Sequence, residues 1–174
     1  MYKRQPDAGR QRLLAVAELV RERGGVVAFD NNYRPRLWAD VASARSAFGA
    51  ATAVATLALM TLDDEQALWG ETDAATQLQR TLSLATAEVV VKRGASPTLV
   101  RGADRQVHEV PTVRVAQVVD TTAAGDSFAG AYLAARLSGA AATEAATAGN
   151  RLAACVVQHR GAVVPEAAMA HLLA

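Results

Sequence analysis

The chain has 174 residues, 51% of them hydrophobic and 20% charged, the balance of a folded globular protein rather than a disordered one. A net charge of +1 excludes general binding to nucleic acid or to acidic membranes, for which a basic excess would be expected. A single cysteine, Cys155, excludes an internal disulfide, and its apolar surroundings from Leu152 to Val157 mark it as a buried bystander.

Taken in chain order, the periodicity alternates between helix and strand. Residues 11–23 place Leu13, Leu14, Ala17 and Val20 on one helical face, with arginines and glutamates opposite. Gly24-Gly25 stops this helix, and VVAFD (26–30) reads as a short apolar strand ending in a carboxylate. A helix over 40–50 and a buried strand over 54–60 follow. Asp63-Asp64-Glu65 opens another helix, acidic residues being favoured at the positive end of the helix dipole. A further helix spans 73–85, and Glu88 to Lys92 is β-rich. Residues 98–101 and 106–110 predict a hairpin turning at Gly102-Ala103-Asp104. After Val118-Val119 a strand ends, and two alanine-rich helices follow over 124–137 and 143–159. The alternation predicts an α/β fold with an open, largely parallel sheet and helices on both faces. The start, MYKRQPDAGR, has no apolar core of a signal peptide, and the apolar run 47–60 falls short of the roughly 20 residues of a membrane span. One cytoplasmic domain is the expectation.

The most informative stretch is Asp120-Thr121-Thr122-Ala123-Ala124-Gly125-Asp126-Ser127-Phe128, a turn of small residues running into a helix. A helix start exposes unpaired N–H groups and a partial positive charge, which suits it to hold an anion. Ala123, Ala124 and Gly125 let a phosphate approach those groups closely, and Asp126 stands where a carboxylate can accept the proton of an attacking hydroxyl. The same residues equally suit a plain helix cap. Elsewhere, Arg34, in the loop after VVAFD, is a candidate for binding a carboxylate through two parallel charge-assisted hydrogen bonds; pairing with Asp30 or Asp40 is the alternative. No G-x-x-x-x-G-K-[ST] loop, zinc-like spacing of His108, His159 and His171, or G-x-S-x-G elbow is present, and no G-x-G-x-x-G follows a first strand.

DTTAAGDSFAG (120–130) resembles the carboxyl-terminal signature of the PfkB, or ribokinase-type, carbohydrate kinases, D-T-x-G-A-G-D-x-F, with alanine at 123 in place of the first glycine. Asp30-Asn31-Asn32-Tyr33-Arg34 resembles the D-x-N-x-R segment of the same family, and the R-P-R-L-W tail its sugar-acid kinases. Thr61 to Glu65 stands at the N-x-x-E motif, with Leu62 in place of asparagine.

The resemblance implies a ribokinase-like three-layer α/β/α fold, of which residues 1–174 are the carboxyl-terminal part of the kinase domain, without the lid. It implies Asp126 as catalytic base, the amides of Ala123, Ala124, Gly125 and Asp126 as anion hole, and Arg34 beside the substrate. It places Lys92, Gly94, Gly125, Asn150, Gly161 and Ala162 along the nucleotide, and Asp120 and Glu65 near a metal ion. The implied cofactors are ATP and Mg²⁺, and the implied partner is a small sugar acid, with neither nucleic acid nor membrane; a homo-oligomer is left open for the full-length parent. A fructokinase or ribokinase, or a non-catalytic nucleotide-binding fragment, are the alternative readings.

Overall fold

The computed structural model describes residues 7–173. These divide into two compact units, with the boundary between residues 91 and 92.

In the first unit, helix α1 (Asp7–Glu22) leads through the Gly24-Gly25 turn to strand β1 (Ala28–Asp30). A 3-10 turn (Pro35–Leu37) precedes α2 (Val41–Val54), whose N-cap Asp40 accepts a bond from the Ser43 N–H at 2.7 Å. Strand β2 (Leu57–Thr61) runs directly into α3 (Leu62–Trp69), which Gly70 ends in a left-handed conformation. Helix α4 (Ala74–Leu82), capped by Asp73, and strand β3 (Glu88–Arg93) follow, the last two residues of β3, Lys92 and Arg93, belonging to the second unit. The strands lie in the order β1-β2-β3, with β1 parallel to β2 in the register Ala28 to Leu57 and Asp30 to Leu59. Leu57 to Met60 and Val89 to Val91 are continuous buried apolar runs, as expected of strands covered on both faces.

In the second unit, β4 (Ser96–Arg101) and β5 (Val107–Val110) form an antiparallel hairpin. Helices α5 (Ala124–Leu137) and α6 (Ala142–Val156) pack closely together, and α7 (Glu166–Leu173) closes the chain. Phe128 and Tyr132 stack in the core of α5, their ring centroids 5.9 Å apart. The approach of α6 depends on Gly149, where a Cβ would stand 2.7 Å from two carbons of the Phe128 ring.

The parallel pairing of β1 with β2 and the antiparallel hairpin of β4 with β5 are as expected. Two expectations are corrected. Residues 118–119 form no strand: the Val119 N–H goes to the Val157 carbonyl at 2.8 Å, and both valines are exposed. The apolar face expected on α1 is only half covered. Leu14 and Ala17 are partly buried, whereas Leu13 is 62% exposed and Val20 lies outside the core. The run 166–173, unassigned from its pattern, is helical because Met169 and Leu172 pack against Cys155, Val156 and Val164.

Candidate active site

In the second unit the residues of the 120–126 loop are organised by one carboxylate. Asp120 Oδ1 accepts bonds from the Thr122 N–H at 2.9 Å and the Thr122 hydroxyl at 2.7 Å, while Oδ2 accepts one from the Gly161 N–H at 2.9 Å. These donors pull its pKa down to about 2, the Gly161 amide most of all. Asp120 is therefore ionised throughout the working range of pH and braces the turn before α5 to the turn after α6. Gly161 takes φ +79°, so the close approach of its amide uses a conformation glycine adopts without a Cβ penalty.

Ala123 caps α5 with φ 60° and ψ 12°, the left-handed conformation that strains an alanine. This bend turns the chain from the loop into the helix, and it explains why the family signature carries glycine at this place. Ala124 donates its N–H back to the Thr121 carbonyl at 3.2 Å. The next N–H groups, of Gly125 and Asp126, belong to the first turn and have no acceptor further back within the helix. Asp126 is exposed in that turn, with Ser127 behind it held by its N–H to the Ala123 carbonyl at 2.8 Å. Lys92 is 8% exposed, and its Nζ lies 3.6 Å from where a Cβ on Gly125 would stand. A buried cation thus abuts the positive end of α5, an arrangement that favours an arriving anion.

The remaining nucleotide-side candidates are not equivalent. Gly94 has φ 60° in the turn between β3 and β4, a conformational duty independent of any ligand. Asn150 is 6% exposed. Its Oδ1 accepts from the Thr98 hydroxyl at 2.9 Å, and its Nδ2 donates to the Pro111 carbonyl at 3.0 Å. It ties α6 to the hairpin, and satisfied bonds at both ends of the amide explain its burial. Ala162, next to Gly161, is exposed.

In the first unit, the end of β1 is fastened by Asn31, a residue the sequence reading passed over. Its Oδ1 accepts from the Thr61 N–H at 2.9 Å and its Nδ2 donates to the Thr61 carbonyl at 3.0 Å, extending the ladder by a side chain. Nδ2 also reaches Glu65 Oε1 at 3.3 Å. The loop beyond is held by aromatic edges, with Phe29, Tyr33 and Trp38 each 5.6 to 5.7 Å from the Phe48 ring. Arg34 is exposed, donating to the Tyr33 carbonyl at 2.7 Å and lying 3.4 Å from Asp64, rather than from Asp30 or Asp40.

Glu65 is 2% exposed, and burial pushes its pKa up, against the lowering effects of the Asn31 bond and of Arg80. Arg80 lies 3.6 Å from Glu65 Oε2, its guanidinium 3.4 Å from the centre of the Trp69 ring. The cation facing Glu65 is thus a side chain. Among the described residues no group of three or more His, Cys, Asp or Glu is placed to hold a metal, and no helix is long and apolar enough to cross a membrane.

A parallel β-α beginning, an antiparallel hairpin, and a helix whose first turn carries small residues and an exposed aspartate make an α/β fold, one that its structural neighbours show to be ribokinase-like. The model of the pfkB family carbohydrate kinases matches residues 4–168, and the chain belongs to that family. It is 47% identical over 165 residues to the 2-dehydro-3-deoxygluconokinase of Dickeya dadantii, an alignment covering 94% of this chain and 53% of that protein. Among solved structures, an aminoimidazole riboside kinase from Salmonella enterica, complexed with aminoimidazole riboside and an ATP analog, superposes with a TM-score of 0.81 at 26% identity, over 95% of this chain and 58% of that one. An E. coli structure described as a ribokinase II in complex with ATP and Mg²⁺ superposes with a TM-score of 0.72 at 27% identity, over 86% and 48% of the two chains. The chain spans about half the length of the curated relatives it matches.

Proposed function

We propose that this chain is the carboxyl-terminal part of a kinase that transfers the γ-phosphoryl group of ATP to the 6-hydroxyl of 2-keto-3-deoxygluconate (2-dehydro-3-deoxygluconate), a cytoplasmic step of sugar-acid breakdown. The observation that carries the reading is the first turn of α5, where the exposed carboxylate of Asp126 adjoins N–H groups without helical acceptors. The 2-dehydro-3-deoxygluconokinase relatives, at 45–47% identity, support the substrate.

In this reading Asp126 takes the proton of the 6-hydroxyl as its oxygen forms the new bond to phosphorus, while the bond to ADP breaks. The amides of Gly125 and Asp126, with Ala123 and Ala124 alongside, hold the charge on the phosphoryl oxygens, and Lys92 adds a positive field from behind. Gly94, Asn150, Gly161 and Ala162 shape the nucleotide side, Asn150 from within the fold. Mg²⁺, when bound, neutralises the phosphates. An ionised Asp120 fits it as a hard oxygen donor, whereas Glu65 already faces Arg80. Arg34 grips the carboxylate of the sugar acid, exchanging Asp64 for it.

The test is a coupled ADP-release assay with 2-keto-3-deoxygluconate, fructose and ribose, run on a protein in which this chain follows the part of its relatives that it does not match. Turnover of the keto acid is expected, and Asp126→Asn lowers it on the order of 10²–10⁴-fold with near-normal ATP binding. Preference for a neutral sugar, unchanged by Arg34→Ala, overturns the substrate. ATP binding without turnover of any sugar favours a non-catalytic nucleotide module instead.

A further inference from the structure

We propose that Glu65, held by Arg80 and Trp69, is a positioning residue that fixes the loop carrying Arg34, and through that loop the grip on the sugar acid. A buried carboxylate persists only where it is paired and hydrogen-bonded, and Glu65, 2% exposed, is met from three places. Asn31 Nδ2, at the end of β1, reaches Oε1 at 3.3 Å, and Arg80 Nη1, on α4, lies 3.6 Å from Oε2. The Trp69 indole N–H, one turn further along α3, donates to the same carboxylate. Arg45, on α2, also lies over Trp69, 5.5 Å from its ring centre, and donates to the Leu68 and Trp69 carbonyls at 2.8 Å. Helix α3 is thus gripped at both ends.

A magnesium ion does not fit at Glu65. Mg²⁺ parts with its water reluctantly and keeps several water molecules when bound. The cavity of about 120 Å³ beside the carboxylate has Phe48, Met60, Trp69 and Leu84 on its walls, and its other charged residue is a cation, Arg80.

What the carboxylate does reach is the loop after β1. Asn31 Oδ1 accepts the Asn32 N–H at 2.9 Å, and Asn32 takes φ 29°, a value that a residue other than glycine adopts at a cost. Tyr33 is 5% exposed and clusters with Leu68 of α3. Arg34 faces Asp64, the neighbour of Glu65 in the first turn of that helix. Helix α3 therefore holds three of four successive loop residues, Asn31, Tyr33 and Arg34. A guanidinium that must meet both oxygens of a carboxylate is sensitive to any shift of this support. The inference rests on the proposed role of Arg34 only for its kinetic readout.

Replacing a buried ion pair by apolar residues of similar size leaves no charge unpaired. The paired variant, Glu65→Leu with Arg80→Met, therefore removes the strut without stranding either partner, while Glu65→Gln keeps an oxygen for Asn31. Trypsin reads the loop in this chain without any substrate, since Arg36 in the loop and Arg23 in the turn after α1 are both exposed. The paired variant is expected to be cut after Arg36 about five-fold faster than the native chain, with cutting after Arg23 unchanged. Glu65→Gln restores the native rate. Unchanged cutting after Arg36 overturns the proposal, and so does equal acceleration at both sites, which marks a general loosening.

The kinetic arm is the coupled assay, with this chain joined behind the part of its relatives that it does not match. The paired variant is expected to raise the KM for 2-keto-3-deoxygluconate about five-fold, with the KM for ATP and the Mg²⁺ requirement within about two-fold. A Mg²⁺ requirement raised about ten-fold by Glu65→Gln makes the carboxylate a metal ligand and overturns the proposal. Faster cutting after Arg36 with an unchanged KM sinks Arg34 as the substrate contact and leaves the strut standing.

Discussion

Ala123 carries a strain that a glycine at its place, as in the signature it resembles, would avoid. A left-handed alanine costs roughly 1 kcal/mol relative to glycine, and the greater freedom of glycine in the unfolded chain takes back about half of that. Ala123→Gly is therefore expected to stabilise the protein by about 0.5 kcal/mol, read as a higher urea midpoint; a lower midpoint would mean the alanine methyl packs usefully. The departure from the glycine signature was legible as a letter, but its backbone cost was not, since any small residue satisfies the pattern. Glu65 shows the opposite limit. Its place in the motif could be read, yet its burial could not, because Asn31 and Arg80 reach it from other elements. Its raised pKa means that the native state holds the proton more tightly than the unfolded chain does. The stability this group contributes is present below the ordinary carboxylate pKa and lost as pH rises through the raised value. Glu65→Gln removes that titration, so urea melts should show its stability relative to the native protein rising between pH 4 and pH 7.

Among the elements, α5 and α6 show how far one contact sets a packing distance. A methyl at position 149 improves helix propensity by roughly 0.5–1 kcal/mol, but it meets the Phe128 ring at 2.7 Å, and overpacking typically costs about 1–3 kcal/mol. Gly149→Ala is expected to destabilise, with a lower thermal midpoint; an unchanged midpoint would show that the ring can move aside. Helix α5 was legible to its ends because a run of small apolar residues lies between a signature turn and Gly139. The absent strand at 118–119 was not legible. Two valines carry β propensity wherever they stand, and the Val119 N–H goes to the Val157 carbonyl rather than to a neighbouring strand. Helix α7 was equally hidden, since its packing partners lie on α6 and in the loop between them.

For the molecule as a whole, the α/β class followed from alternating periodicities, and the antiparallel hairpin was visible from its Gly102-Ala103-Asp104 turn. The two compact units were not visible, because no change in composition marks residue 91 or 92. Nor could one face of α1 be assigned from spacing, as its apolar arc is wider than the side that α2 covers. A chain spanning about half of its relatives supplies Asp126, the α5 amides and Arg34 to the proposed reaction, whereas water must also be kept from the reacting groups and the sugar held in line. The chain alone is therefore expected to release ADP no faster with 2-keto-3-deoxygluconate than without it. Turnover by the chain alone would show that the residues present suffice.

The bond from the Gly161 amide to Asp120 spans 41 residues and closes α5 and α6 into a ring without a covalent link. The Val119 and Asp120 N–H groups also reach the Val157 carbonyl, so three bonds hold the loop before α5 to the chain after α6. A molecule that settles on the α5 turn is therefore expected to slow exchange at the 161–162 turn as well, without touching it. The protection of one amide, Gly161 N–H, against exchange with solvent is therefore a gauge of how firmly the opposite end of the ring is held.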